Sequence, residues 1–114
     1  LSKKVCVVED ENSIREILVH ILKFIDPHIS ITEVSTSDEF KSTKKDDFDI
    51  IFLDCDLHGD RSVTCDFLFQ NDSIRTVLIT GDTSVHIPDG LDEINTVMYK
   101  PFTLMDVEYN LGTW

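Results

Sequence analysis

The sequence predicts an open α/β fold, a five-stranded parallel sheet covered by helices on both faces as a three-layer α/β/α sandwich. Two observations predict it. Four short apolar runs, Val5 to Val8, Ile50 to Leu53, Val77 to Ile79 and Val97 to Tyr99, suit strands buried on both faces. Between them lie stretches with helical spacing, and strand alternating with helix marks right-handed crossovers in a parallel sheet. Each run also leads into residues that phosphate chemistry can use: Glu9-Asp10-Glu11, Asp54, Thr80 and Lys100-Pro101. Residues just past the carboxyl ends of neighbouring parallel strands gather in one crevice, so acids, a hydroxyl and an amine are expected to share a pocket.

After the first strand, Ile14, Ile17, Leu18, Ile21, Leu22 and Ile25 recur at three- and four-residue steps, the stripe of a helix lying on a sheet. Asp26-Pro27 ends it. Ile29, Ile31 and Val34 nearly alternate with polar residues, as in an edge strand with one open face. Ser37 is expected to cap a short second helix carrying Phe40, and Lys44-Lys45-Asp46-Asp47 to form a solvated turn. The third strand ends at Asp54, and a polar loop through His58-Gly59-Asp60 leads to a short helix bearing Val63, Phe67 and Leu68. A fourth helix is expected within Thr83 to Asn95, ragged or late in starting because Pro88 and Gly90 sit inside it. The fifth strand ends at Lys100-Pro101, and Thr103 caps a last helix through Leu104, Val107 and Leu111. Such a chain winds in strand order 2-1-3-4-5, with its switch point beside strands one and three.

A chain of 114 residues fits a single domain, 1–114, that buries roughly two thirds of its extended surface. Its 41% hydrophobic and 28% charged residues are those of a soluble globular protein. A net charge of −12 and ten Lys and Arg in all argue against direct nucleic-acid binding and against acidic membrane surfaces. No apolar stretch reaches membrane-spanning length, and Leu1-Ser2-Lys3-Lys4 leads straight into a strand, so the expected location is cytoplasmic. Leu1 in place of Met hints at a fragment, and Trp114 is expected either to pack on the last helix or to mark a cut before a linker to an output domain. Cys6, Cys55 and Cys65 form no CxxC pair and are expected as buried thiols, with Cys55 placed for oxidation beside the pocket. His20, His28, His58 and His86 lack metal-ligand spacing and are expected on the surface, His58 nearest the pocket rim.

Two carboxylates about 4 Å apart repel by roughly 4 kcal/mol at an effective dielectric of 20. A cluster of Glu9, Asp10 and Asp54 must therefore hold protons or recruit a cation. Mg2+ fits an all-oxygen site built from a few carboxylates with positions left for a phosphoryl group. Asp54, at the end of the central strand, is the expected nucleophile, able to form an aspartyl phosphate. The Lys100 ammonium and the Thr80 hydroxyl supply charge neutralisation and a hydrogen bond to the phosphoryl oxygens. Read alone, Asp10 or Asn12 could instead cap the helix starting near Ser13. Only the constellation makes a pocket of these residues.

Taken together, Val8-Glu9-Asp10-Glu11, Leu53-Asp54, Ile79-Thr80-Gly81 and Lys100-Pro101-Phe102 resemble the receiver domains of two-component response regulators, flavodoxin-like phosphoacceptor domains. The resemblance runs essentially from end to end. It implies Mg2+-dependent transfer of a phosphoryl group onto Asp54 from a histidine kinase or a histidine phosphotransfer protein. The backbone carbonyl of Asp56 would join Glu9, Asp10 and Asp54 at the metal. A shift of Thr80 and of the surface around strands four and five would then address an output domain or protein target. The protein would catalyse its own phosphorylation and dephosphorylation without turning over an external substrate. Nothing in the sequence sets an oligomeric state.

Departures from the family pattern carry expectations of their own. Leu57-His58 replaces the usual Met-Pro, so the loop after Asp54 takes another shape. Val97 stands where an aromatic switch residue is common, and Tyr99, on the same strand face, is expected to substitute for it. Asp56 occupies a position that in the family faces the phosphoryl group; an acid there either orients a water and hastens phosphoryl loss, the favoured expectation, or adds negative charge that slows phosphorylation. One rival reading is a phosphatase resembling the haloacid dehalogenase family, with Asp54 and Asp56 as its Asp-x-Asp pair. The order of motifs opposes it, since Glu9-Asp10 precede the pair and the chain ends soon after Lys100. The other rival is a receiver-like binding module that signals without phosphate. A nucleotide or flavin domain is disfavoured, because none of the four glycines forms a phosphate loop after the first strand.

Overall fold

A computed structural model describes residues 3–71 and 73–112; the expectations for Leu1 and Trp114 lie outside these. Five strands, β1 (Lys4–Val8), β2 (Ser30–Val34), β3 (Ile50–Asp54), β4 (Arg75–Thr80) and β5 (Thr96–Tyr99), form an all-parallel sheet in the order β2-β1-β3-β4-β5. Four helices accompany them: α1 (Asn12–Ile25), α2 (Ser37–Ser42), α3 (Ser62–Gln70) and α4 (Leu104–Gly112). The expected sandwich and strand order are thus present.

The pleat divides the core in two. Val5, Val7, Ile50, Phe52, Val77 and Ile79 face Leu18 and Leu22 of α1 and Val107 and Leu111 of α4. Cys6, Val8, Ile51, Leu53 and Leu78 face Phe40 of α2 and Phe67 and Leu68 of α3, with Phe40 and Phe67 packed edge to face at 5.0 Å. Every residue of β3 and β4 is buried, as central strands covered on both faces require. β2 buries only Val34 within its span, in keeping with its place at the edge.

Several expectations are corrected. No helix forms within 83–95: this segment crosses from β4 to β5 as turns and irregular chain, and Val85, Ile87 and Leu91 alone cover its part of the core. Pro88 removes a backbone donor, and Gly90 adopts φ +87°, a conformation that no helix residue shares. The cap of α2 is Thr36, whose Oγ1 accepts from the Glu39 N–H at 3.1 Å, one residue before the expected Ser37. Lys45 belongs to a single 3-10 turn, Lys45–Asp47, and lies over the Phe40 ring with its ammonium donating to the Phe40 carbonyl, so this stretch is not simply a solvated turn. Cys6 and Cys55 are buried as expected, whereas Cys65 on α3 is exposed. β4 begins two residues earlier than its apolar run, with Arg75 and Thr76 buried at its start. At α4 the expected cap is present: the Asp106 N–H donates to Thr103 Oγ1 at 3.2 Å, and the Asp106 carboxylate accepts from the Thr103 N–H at 2.8 Å.

Candidate functional site

The parallel register carries the ends of β1, β3, β4 and β5 to one edge of the sheet. Val8 pairs with Leu53, Asp54 with Ile79, and Thr80 with Tyr99, so Glu9, Asp54, Thr80 and Lys100 all emerge at the carboxyl ends of neighbouring strands. Each is fixed locally. The Glu9 N–H donates to the Val34 carbonyl at 3.0 Å, and Arg15 of α1 donates to the Glu9 carbonyl at 2.8 Å. The Asp54 carbonyl accepts from the buried Thr64 hydroxyl at 2.9 Å. The Lys100 N–H donates to the Thr80 carbonyl at 2.7 Å, locking the base of the lysine to the strand that bears the hydroxyl.

Glu9, Asp10 and Asp54 each offer a carboxylate oxygen, and these atoms lie within 4.8 Å of one another. Glu9 is fully buried and Asp54 nearly so. The Lys100 ammonium sits 2.8 Å from Glu9 Oε1 and 3.8 Å from Asp54 Oδ1. Neither Asp10 nor Asn12 caps α1, whose N-cap is Glu11 without a side-chain hydrogen bond. Asp10 serves the pocket instead, and its Oδ2 accepts from the His58 N–H at 3.1 Å, drawing the loop after β3 across the site. His58 holds φ +51° there and is exposed at the rim, as expected.

These charges perturb one another. Burial pushes the Asp54 carboxyl well above the usual carboxylate range, and the neighbouring Asp10 and Glu9 add to the rise, against a hydrogen bond from the Asp56 N–H at 3.1 Å. Asp10 moves the other way: burial would raise it, but hydrogen bonds shared with Asp54, Glu9 and the His58 N–H outweigh that and lower it. Burial would also lower Lys100, yet its contacts with Glu9 and Asp54 leave it raised and firmly cationic. One ammonium is thus shared by Glu9 and Asp54, with Asp10 a third carboxyl in the same cluster. An all-oxygen set of this spacing fits a hard divalent cation, and no thiolate or imidazole stands among its ligand atoms.

Thr80 is buried, and its Oγ1 accepts from the Asp82 N–H at 3.0 Å. Asp56 is placed differently from Asp54. Its N–H points to the pocket, its carbonyl accepts from the Gly59 N–H at 3.2 Å, and its carboxylate turns to Arg61. Arg61 Nε lies 2.5 Å from Asp56 Oδ1, and Nη2 lies 2.8 Å from Asp82 Oδ2. Sequence reasoning missed Arg61; the available signal was a single arginine set in an acidic loop, five residues past Asp56. Tyr99 is partly exposed and donates its hydroxyl proton to the Val85 carbonyl at 2.6 Å, pinning the irregular 83–95 segment to β5. Cys55 is buried beside Asp54, and desolvation raises its thiol, which disfavours the reactive thiolate.

Neither a protein-family model nor a curated protein matches the sequence. Solved structures do match in shape. A response regulator receiver domain protein from Bacillus halodurans superposes with a TM-score of 0.81 at 14% identity, covering 99% of this chain and 97% of that one. The chemotaxis response regulator CheY4 of Vibrio cholerae gives 0.70 at 18% identity, covering 99% and 98%. NtrX from Brucella abortus gives 0.76 at 20% identity, with 99% of this chain matched to 26% of that longer one. Together with the strand order and helix placement, these matches show that the chain has the CheY-like fold of response regulator receiver domains.

Proposed function

We propose that the protein is a phosphoacceptor receiver domain of a two-component phosphorelay, taking a phosphoryl group on Asp54. The observation that carries this reading is the Lys100 ammonium set between Glu9 and Asp54, beside three carboxylates close enough to share one cation. Glu9, Asp10 and Asp54, with the Asp56 carbonyl, would hold Mg2+, which when bound supplies charge neutralisation for the phosphoryl oxygens.

The residues of the chain divide the remaining work. A carboxylate must be ionised to attack phosphorus, and burial opposes ionisation of Asp54, so the Lys100 ammonium, 3.8 Å from Asp54 Oδ1, is the side chain that favours the ionised nucleophile. Attack forms the bond from Asp54 oxygen to phosphorus as the bond from phosphorus to the donor's imidazole nitrogen breaks. Lys100 pairs with a phosphoryl oxygen, and the Thr80 hydroxyl swings from its contact with the Asp82 N–H to donate a hydrogen bond. Movement of Thr80 pulls on the strand pair β4 and β5 through the Lys100 and Thr80 backbone bond, which is how the surface would respond. An apolar hollow of about 280 Å³ lined by Ile14, Ile17, Lys100, Pro101 and Phe102 adjoins the lysine and suits docking of a histidine kinase or histidine phosphotransfer protein.

The test is direct. Wild-type protein and Asp54→Ala are incubated with Mg2+ and a small phosphodonor such as phosphoramidate, and intact mass is measured. One hydroxylamine-labile phosphoryl adduct on wild type alone, abolished by a chelator, is expected. Absence of the adduct on folded wild type contradicts the reading and favours a phosphate-independent binding module, and sustained turnover of a phosphate ester favours the phosphatase.

A further inference from the structure

We propose that Arg61 is a positioning residue that sets how long a phosphoryl group stays on Asp54, by clamping the Asp56 carboxylate to Asp82 and away from the attacking water. This rests on the reading of Asp54 as phosphoacceptor. The clamp joins two loops at the mouth of the pocket. Arg61 presents Nε at 2.5 Å and Nη2 at 3.5 Å to the two oxygens of Asp56, and the same Nη2 reaches Asp82 at 2.8 Å. Asp82 is itself held, its Oδ1 accepting from the Ser84 N–H at 2.9 Å and the Ser84 hydroxyl at 2.6 Å. The planar fork of a guanidinium can serve both carboxylates at once, which a lysine ammonium cannot reproduce.

Asp56 lies next to the reacting group, since its N–H donates to Asp54 Oδ1 at 3.1 Å. Loss of the phosphoryl group is hydrolysis: water oxygen bonds to phosphorus, the bond from phosphorus to Asp54 oxygen breaks, and Asp54 leaves as carboxylate with inorganic phosphate. The proton given up by water goes to a nearby base and then to solvent. A free Asp56 carboxylate is such a base; one held by two N–H donors of Arg61 is turned toward the guanidinium with a lone pair on each oxygen engaged, and is a poorer and misdirected proton acceptor. The clamp also ties Asp56 to the turn that follows Thr80, because the Asp82 N–H donates to Thr80 Oγ1.

The experiment measures phosphoryl lifetime after phosphoramidate loading with Mg2+ and rapid desalting, in wild type, Arg61→Ala, Arg61→Lys, Asp56→Asn and the Arg61→Ala/Asp56→Asn double variant, with melting curves alongside. Arg61→Ala is expected to shorten the lifetime about fivefold, the ratio an exposed ion pair of ordinary strength can hold. Arg61→Lys stays short-lived, because charge without the fork does not restrain Asp56. Adding Asp56→Asn to Arg61→Ala restores the lifetime to that of Asp56→Asn alone, which a merely structural role for Arg61 would not produce. An unchanged lifetime in Arg61→Ala, or an equal loss with and without the Asp56 carboxylate, overturns the proposal. Failure of folded wild type to accept any phosphoryl group removes the phosphoacceptor reading and this inference with it. Wild type that loads normally beside unresponsive Arg61 variants removes only the inference.

Discussion

Asp54→Asn should stabilise the metal-free protein. The substitution keeps the shape of the side chain and removes a carboxyl whose ionised form would be the third negative charge in the cluster. At the 4.8 Å that bounds the separation of the ligand oxygens, each carboxylate pair repels by about 3.5 kcal/mol at an effective dielectric of 20. The attraction lost is that of Lys100, about 4.4 kcal/mol at 3.8 Å on the same scale. Relief of two repulsions against loss of one attraction leaves roughly 2 to 3 kcal/mol in favour of the variant, on the order of 10 °C in melting temperature for a domain of this size. The sign with pH follows from the raised Asp54 carboxyl. Its contribution to wild-type stability is fully present below the unfolded value of 3.8 and is lost as pH rises through the higher folded value. The gap between variant and wild type should therefore be small near pH 4 and open as pH rises to 8. Circular-dichroism melts in chelator-containing buffer across that range provide the assay. A variant no more stable than wild type at pH 8 would refute the electrostatic argument.

Mg2+ should raise the wild-type melting temperature with concentration and leave Asp10→Asn far less responsive, because a ligand stabilises only the state that binds it; equal responses in both proteins would place the cation elsewhere. Lys100→Met should cost about 3 kcal/mol or more, as read by urea unfolding at pH 8, by leaving buried Glu9 without its 2.8 Å partner. A loss below about 1 kcal/mol, the range of an exposed ion pair, would contradict the buried pairing of Lys100 with Glu9. Thiol labelling of the native protein should modify Cys65 quickly and spare Cys6, whose thiol burial pushes up to about 12, and Cys55. Rapid labelling of Cys55 would contradict its placement. Thr36→Ala should destabilise by about 1 kcal/mol through loss of the α2 cap, while Ser37→Ala should change stability little; the reverse order in urea unfolding would restore Ser37 as the cap.

Most of the sheet was legible because its strands are buried on both faces and therefore written as unbroken apolar runs, and strand ends then located Glu9, Asp54, Thr80 and Lys100 together. What escaped was written in polar residues. Arg75 and Thr76 begin β4 although neither is apolar; Arg75 is buried because its guanidinium donates to the carbonyls of Ile94 and Asn110, a tertiary arrangement with no local signature. The segment 83–95 has apolar residues enough to face a core, and only Pro88 and Gly90 hinted that it would do so without a helix. The direction of the Asp56 carboxylate depends on Arg61 and Asp82, one nearby in sequence and the other 21 residues beyond Arg61. Charges that pair across loops are set by the fold and leave no periodicity to read.

The central claim, that Asp54 accepts a phosphoryl group, is tested most directly by locating the modified residue. Borohydride reduces an aspartyl phosphate to homoserine, so protein loaded with phosphoramidate and Mg2+, then reduced and digested, should yield homoserine at position 54 by tandem mass spectrometry. Homoserine at another aspartate, or none in a protein shown to be folded, would contradict the account.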